Sequence, residues 1–232
     1  MKLKCITFTG IDDFTDLSRL KDIQQRHPYA EFGVLLSPGW YKNGMRFPNP
    51  TMILPKLRDL GVSLSAHLCG ELGRKAITGE WEYVEDFLDG HSGLFSRFQI
   101  NILSASMFRE IRALKPFRGK EVIVQMQSAS LMEKLAEDDL PEGISYLIDG
   151  SGGRGKETPI EPLSYPGIPV GYAGGITPLN ARNKLLSLLS YPSDGEFLID
   201  METGIRTNAF FNLDKVENVL ETYRSILTSI SD

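Results

Sequence analysis

Short apolar runs punctuate the chain from end to end: "KCITFTG", "AEFGVLLS", "VSLSAHL", "FQINI", "EVIVQMQ", "SYLID", "PVGYAGG" and "EFLIDM", eight in all. Each is short, rich in β-branched or aromatic residues and closed by polar or glycine-containing sequence, which is how a buried strand reads. Between most of them the pattern changes. Segments 14–26, 50–60, 80–88, 105–114, 129–138, 178–190 and 213–228 carry apolar residues three or four positions apart, the spacing of one face of a helix. Asn49-Pro50 and Thr177-Pro178 each set a capping side chain before a proline, predicting an N-cap followed by the first helical residue.

Strand and helix therefore alternate, and alternation implies a parallel sheet with right-handed crossovers. Eight units within 232 residues predict an α/β fold, a (β/α)8 barrel spanning 1–232 as one domain, with an open doubly wound sheet as the alternative. The sixth helix is expected to be short or absent, because prolines at 159, 162, 166 and 169 remove N–H donors and clash with preceding turns. Residues 37–49 form the other long loop. In a barrel both loops follow strand C-termini, the face on which ligands bind.

Composition narrows the partners. With 25 basic and 30 acidic residues there is no basic field to attract nucleic acid. Two cysteines, Cys5 and Cys69, are too few for a disulfide framework and fit a reducing compartment. The start "MKLKCITFTGIDD" meets acidic residues after one short apolar run, so neither a signal peptide nor a membrane span is expected. The expectation is a cytoplasmic protein, a monomer or homodimer, with a small molecule as its partner.

The stretch "LIDGSGGRGKE" approaches a nucleotide-binding P-loop, with Gly150 followed at the right distance by Gly155-Lys156. Glu157 stands where a magnesium-binding hydroxyl is needed, and the prolines prevent the helix whose N-terminus would face phosphate, so that reading fails. The glycines fit a barrel site better. Gly152, Gly153 and Gly155 follow the sixth strand, Gly174 and Gly175 the seventh, and Thr203 and Gly204 the eighth. Three neighbouring loops with close backbone access can converge on one phosphate, although any single glycine is equally well explained by a tight turn.

At this point the chain resembles the phosphoribosylanthranilate isomerase family, ribulose-phosphate-binding barrels of tryptophan biosynthesis. "LIDGSGGRGK" is similar to its strand-six Leu-Leu-Asp and Gly-Gly-x-Gly-Lys loop, "AGGITPLNA" to its Ala-Gly-Gly-Leu-Thr-Pro-Glu-Asn, and "DMETGIR" to its Asp-Val-Ser-Ser-Gly-Val-Glu. "TGIDDFTDL" and "RFPNP" extend the likeness toward the N-terminus. The resemblance implies an Amadori rearrangement in which an acid opens a ribose ring and a base removes the C2 proton of the resulting imine. It places the acid on Asp149 and the base on Thr9, where the family has cysteine. An unactivated hydroxyl is a far weaker base than a thiolate. The family's strand-four Gln-Leu-His becomes Gln99-Ile100-Asn101, and its first serine after strand eight becomes Glu202, a carboxylate expected to repel phosphate if it faces that site; with "SPGWYKNG" as an inserted loop Arg46 matches the arginine that holds the anthranilate carboxylate, whereas a direct match of "SPG" places Gly39 there.

His67, at the end of the third strand, is the candidate replacement base, since imidazole titrates near neutrality; a hydrogen-bonded barrel histidine is the other reading. Cys69 is either a nucleophile or a small buried apolar residue. His27 and His91 precede their strands and belong to the opposite face. One well-placed histidine does not make a metal site, so neither metal nor cofactor is expected. Gln125 or Gln127 can hydrogen-bond a sugar, and Trp40 and Tyr41 can cover an aromatic ligand. The function expected is an isomerase acting on a phosphorylated sugar-type substrate. The alternatives are an inactive barrel that binds a phosphorylated ligand, and a related isomerase or lyase with another substrate.

Overall fold

A computed structural model describes residues 1–40, 46–101, 108–136, 141–165 and 167–231. The eight apolar runs are eight parallel strands: β1 (Lys2–Thr9), β2 (Ala30–Leu36), β3 (Leu64–Cys69), β4 (Arg97–Asn101), β5 (Glu121–Met126), β6 (Ile144–Asp149), β7 (Val170–Ala173) and β8 (Glu196–Met201). Each pairs with the next, and β8 returns to β1 with Lys2 opposite Glu196 and Phe8 opposite Met201, closing the barrel. The helices are α1 (Leu17–Arg26), α2 (Pro50–Leu57), α3 (Glu71–Ile77), α4 (Trp81–Leu88), α5 (Phe108–Ala113), α6 (Ala129–Ala136), α7 (Ala181–Leu189) and α8 (Leu213–Ser231). A two-stranded hairpin, β9 (Arg206–Thr207) with β10 (Phe210–Phe211), follows β8.

Strand alternation sorts the side chains into two cores. Outward residues such as Phe8, Phe32, Phe98, Tyr146, Tyr172 and Phe197 join helix residues including Leu20, Leu54, Leu185 and Leu220 in one large apolar shell. Inside the barrel a second, small cluster of Ile123, Leu147 and Leu198 packs with Cys5 and Ala173. The interior beside β1, β2 and β4 is polar instead. Arg97 is buried and pairs with Glu31 at 2.5 Å, and Thr7 accepts from Arg97 while donating to Glu31 at 3.0 Å. The barrel is thus plugged by hydrocarbon on one side and by a buried ion pair on the other.

Several expectations are borne out in detail and some are corrected. Asn49 caps α2 by accepting from the Thr51 N–H at 3.2 Å, with Pro50 in the first turn. Between β6 and β7 the described residues contain no helix; the segment is pinned by Tyr172, whose hydroxyl accepts from the Leu163 N–H at 2.7 Å. The helix expected over 178–190 begins at Ala181, because the Asn180 side-chain Oδ1 accepts from the Thr177 N–H at 2.8 Å and shapes a turn first. The helix expected from residue 14 begins at Leu17, where Asp16 accepts from Ser18 N–H at 3.1 Å. Helix α3 was not anticipated; its seven residues are too few for a spacing pattern to emerge. Tyr41, Ile102, the start of the helix expected over 105–114, the end of that expected over 129–138, and Pro166 lie outside the described residues.

Candidate functional site

A cavity of about 300 Å³ opens where the strands end. It is lined by Arg46, Gln99, Asn101, Gln125, Asp149 and Glu202, and by every glycine of the expected phosphate set together with Thr203. Trp40 also borders it, 62% exposed and tilted against Phe47 at 5.7 Å. Gln127 stands beyond the end of β5 and is not in the lining. Two residues expected to do chemistry are displaced from the cavity: Thr9 and His67 are buried within the barrel and do not line it.

Asp149, the last residue of β6, is buried and hydrogen-bonded through both carboxylate oxygens. Oδ1 accepts from the Ser151 N–H at 2.9 Å and the Ser151 hydroxyl at 2.7 Å; Oδ2 accepts from Gln125 Nε2 at 2.8 Å and the Gly153 N–H at 2.6 Å. A carboxylate offers about four lone-pair directions, and here all are taken. Ser151 is the partner that can reverse, because a hydroxyl rotates between donor and acceptor. Asp149 therefore both organises the glycine loop after β6 and retains one partner able to follow a proton.

A second carboxylate reaches the cavity from β8, and the sequence reading did not single it out. Asp200 is half-buried in the cavity wall; Oδ1 accepts from the Thr9 hydroxyl at 2.6 Å and Oδ2 from Gln99 Nε2 at 3.2 Å. Burial raises its pKa to about 6, with the charge of Asp149 adding to the effect and the hydrogen bonds from Thr9 and Gln99 opposing it. Its signal in the sequence was its place in "LIDMETG", the second Leu-Ile-Asp ending a strand after "LIDGSGG".

Beneath Asp200 the hydrogen-bond directions can be assigned. Thr9 has one proton and Asp200 is an acceptor, so Thr9 donates to Asp200 and accepts from His67 Nε2 at 3.2 Å. Ser65 Oγ lies 3.1 Å from the same nitrogen. The nitrogen carries hydrogen, and burial, reinforced by the Arg97 charge, pushes the His67 pKa down to about 3. His67 is a neutral donor in the barrel wall, the bland alternative that its position allowed, and not a base facing the cavity. Gly33 makes room for the pair: a Cβ there would lie 2.4 Å from Thr9 Oγ1 and 2.9 Å from His67 Nε2.

The glycines after β6, β7 and β8 interlock three loops. A Cβ on Gly175, whose φ of +63° also disfavours a side chain, would meet the Glu157 backbone nitrogen at 2.2 Å; one on Gly204 would meet the Ile176 carbonyl oxygen at 2.0 Å. The N–H groups of Gly152, Gly153 and Gly155 are already used, by Asp149 O, Asp149 Oδ2 and Ser151 Oγ respectively. The β6 loop is thus a self-bonded wall.

Glu202 does not stand as a bare charge over the cavity. Arg46 meets it with two contacts, Nε to Oε1 at 2.6 Å and Nη2 to Oε2 at 2.9 Å, a bidentate pair across the mouth. Cys69 lies in the wall with its thiol pushed up to about 12 by burial, and its sulfur accepts from Asn101 Nδ2 at 3.4 Å. It is therefore a thiol and not a nucleophilic thiolate near neutral pH.

No model of a known protein family matches the chain, and no curated protein sequence does. Solved structures share the fold. N-(5'-phosphoribosyl)anthranilate isomerase from Pyrococcus furiosus superposes with a TM-score of 0.59 at 14% identity, covering 95% of this chain and 98% of that one. Phosphoribosyl anthranilate isomerase from Thermococcus kodakaraensis gives 0.55 at 16%, covering 96% and 99%. Phospho-2-dehydro-3-deoxyheptonate aldolase from Thermotoga maritima gives 0.55 at 10%, covering 98% of this chain and 70% of that one. At such identities the likeness is one of fold.

Proposed function

We propose that the protein is an isomerase that acts on a phosphorylated sugar-type substrate by general acid–base chemistry, similar in kind to phosphoribosylanthranilate isomerases. One observation carries this reading: the cavity brings a strand-end carboxylate, Asp149, into the same wall as glycine-rich loops from β6, β7 and β8. A phosphate would be met by backbone N–H groups at Gly174, Gly175, Thr203 and Gly204, because those of the β6 loop are spent on Asp149 and Ser151. Asp149 would act as the acid that opens the ring, with Ser151 turning to accept the proton when the carboxyl holds it.

The likeness in fold to two phosphoribosylanthranilate isomerases supports this reading without specifying the substrate. Binding without turnover is the second reading, favoured by the hydroxyl of Thr9 at the position of the family's thiol. A turnover assay with freshly generated phosphoribosylanthranilate, following loss of its fluorescence, separates the two. Turnover in wild type and a loss of about a thousandfold in Asp149→Asn, with inorganic phosphate still bound by both, is the expected result. Phosphate binding with no turnover in wild type would favour the binding role. Loss of both functions in the variant would make Asp149 a loop anchor only.

A further inference from the structure

We infer that Asp200 is the base of this cavity, held for the task by Thr9 and Gln99; the inference rests on the isomerase reading above. A base must face the ligand, keep an open lone pair and be positioned. Thr9 and His67 are excluded from the lining, Cys69 is a half-buried thiol bonded by Asn101, and Glu202 is committed to a bidentate ion pair with Arg46 that uptake of a proton would break. Asp149 is already assigned as the acid in the reading above. Among the described residues Asp200 has one hydrogen-bond donor on each oxygen, and it lies in the cavity wall, so it keeps acceptor capacity toward a ligand.

The residue at the end of β1 then has a defined role. Thr9 does not remove the proton; it orients the carboxylate that does, and His67 fixes Thr9 by donating to it. Thr9 and Gln99 are positioning residues, and Asp200 is the catalytic one.

The step balances with the two carboxylates alone. Asp149 gives a proton to the ring oxygen as the C1–O bond breaks, leaving a C1=N iminium. Asp200 takes the C2 proton; the C2–H pair becomes the C1–C2 double bond, and the C1=N π pair moves onto nitrogen. Asp200 then returns its proton to C1 while the enol O–H proton goes back to Asp149, which restores both groups and yields the ketone. No oxidant or reductant is needed.

The charged and titratable groups around Asp200 are Asp149 on β6, Arg97 on β4, Cys69 and, through Thr9, His67 on β3, with Glu202 following on its own strand. Opposed influences from Asp149 and Arg97 leave burial as the largest, and a base of pKa near 6 is in its working form at neutral pH. The limb set by Asp200 should make the rate with phosphoribosylanthranilate fall about tenfold per pH unit below pH 6.

Three proteins decide the matter: wild type, Asp200→Asn and Thr9→Val. Each is assayed for turnover of phosphoribosylanthranilate across pH 4.5–8 and for binding of inorganic phosphate by calorimetry. In Asp200→Asn we expect kcat to fall about a thousandfold, with phosphate affinity unchanged. In Thr9→Val the acid limb should move up by about one pH unit, since a hydrogen bond to the charged form is gone; a merely structural role would lower kcat equally at every pH. An active wild type with Asp200→Asn within fivefold of it overturns the inference alone. An inactive wild type overturns the isomerase reading and the inference together. Should Asp200→Asn fail to fold, an unmoved limb in Thr9→Val overturns the inference.

Discussion

At the scale of single residues, the site depends on what neighbours leave out. Gly33 sits on β2 with no side chain where Thr9 and His67 meet, and a methyl group added there would press on the Thr9 hydroxyl, the His67 ring and the Thr9 Cα at 3.0 Å. None of these is the loose end of a flexible chain. Gly33→Ala should cost about 1–3 kcal/mol of stability, the usual range for overpacking a closed core, read by urea unfolding. It should also disturb the Thr9–Asp200 bond and so lower turnover. A glycine in "AEFGVLL" gives no hint of this from sequence, because the atoms that it accommodates come from β1 and β3. Thr9 likewise could be placed at a strand end but not understood there, since its partner Asp200 is on the last strand of the barrel.

At the scale of elements, local pattern was enough wherever an element is defined by its own residues. The eight strands are apolar runs, Asn49-Pro50 starts a helix, and the prolines after Lys156 keep one from forming among the described residues. Pattern fell short where a side-chain bond within a turn set the boundary, as at Asn180, or where a helix was too short to show a period, as in α3. The polar inward positions of β1, β2 and β4 raise a question that pattern alone also leaves unanswered, namely what Arg97 and Glu31 do inside a barrel. They pair with each other, and Thr7 and Ser96 bind the carboxylate further, Ser96 at 3.2 Å. Two Arg97 nitrogens, Nε and Nη1, have no hydrogen-bond partner among the described residues, so Glu31 is the chief compensation for a buried cation. Glu31→Gln should therefore destabilise by about 3–5 kcal/mol, which lowers Tm by on the order of 10 °C in a chain of this size, measured by calorimetry.

At the scale of the whole molecule, the buried groups of the site should leave a mark on stability as pH falls. In the unfolded chain His67 titrates at 6.5, but in the folded barrel burial holds it down to about 3. Between those values the unfolded state binds a proton that the native state refuses, so its contribution to stability is intact above pH 6.5 and lost as pH drops toward 3. Asp200 has the opposite sign. Its folded pKa of about 6 lies above the ordinary 3.8, so between those values the native state holds the extra proton, and acidification stabilises the fold. From pH 7 to pH 5 the histidine should cost roughly 2 kcal/mol and the aspartate return roughly 1, at about 1.4 kcal/mol per pH unit of displaced titration. Urea unfolding at those two pH values tests both assignments in one experiment. His67→Gln should lose less stability than wild type on acidification, and Asp200→Asn should lose more. The two residues share Thr9, so the double variant is the sharper comparison: if each group titrates as its surroundings dictate, the two pH effects should cancel in part when both are removed. An Asp200→Asn protein with the acid sensitivity of wild type would mean that Asp200 is already fully ionised at pH 5, and it would then have too little proton affinity to serve as the base near neutrality.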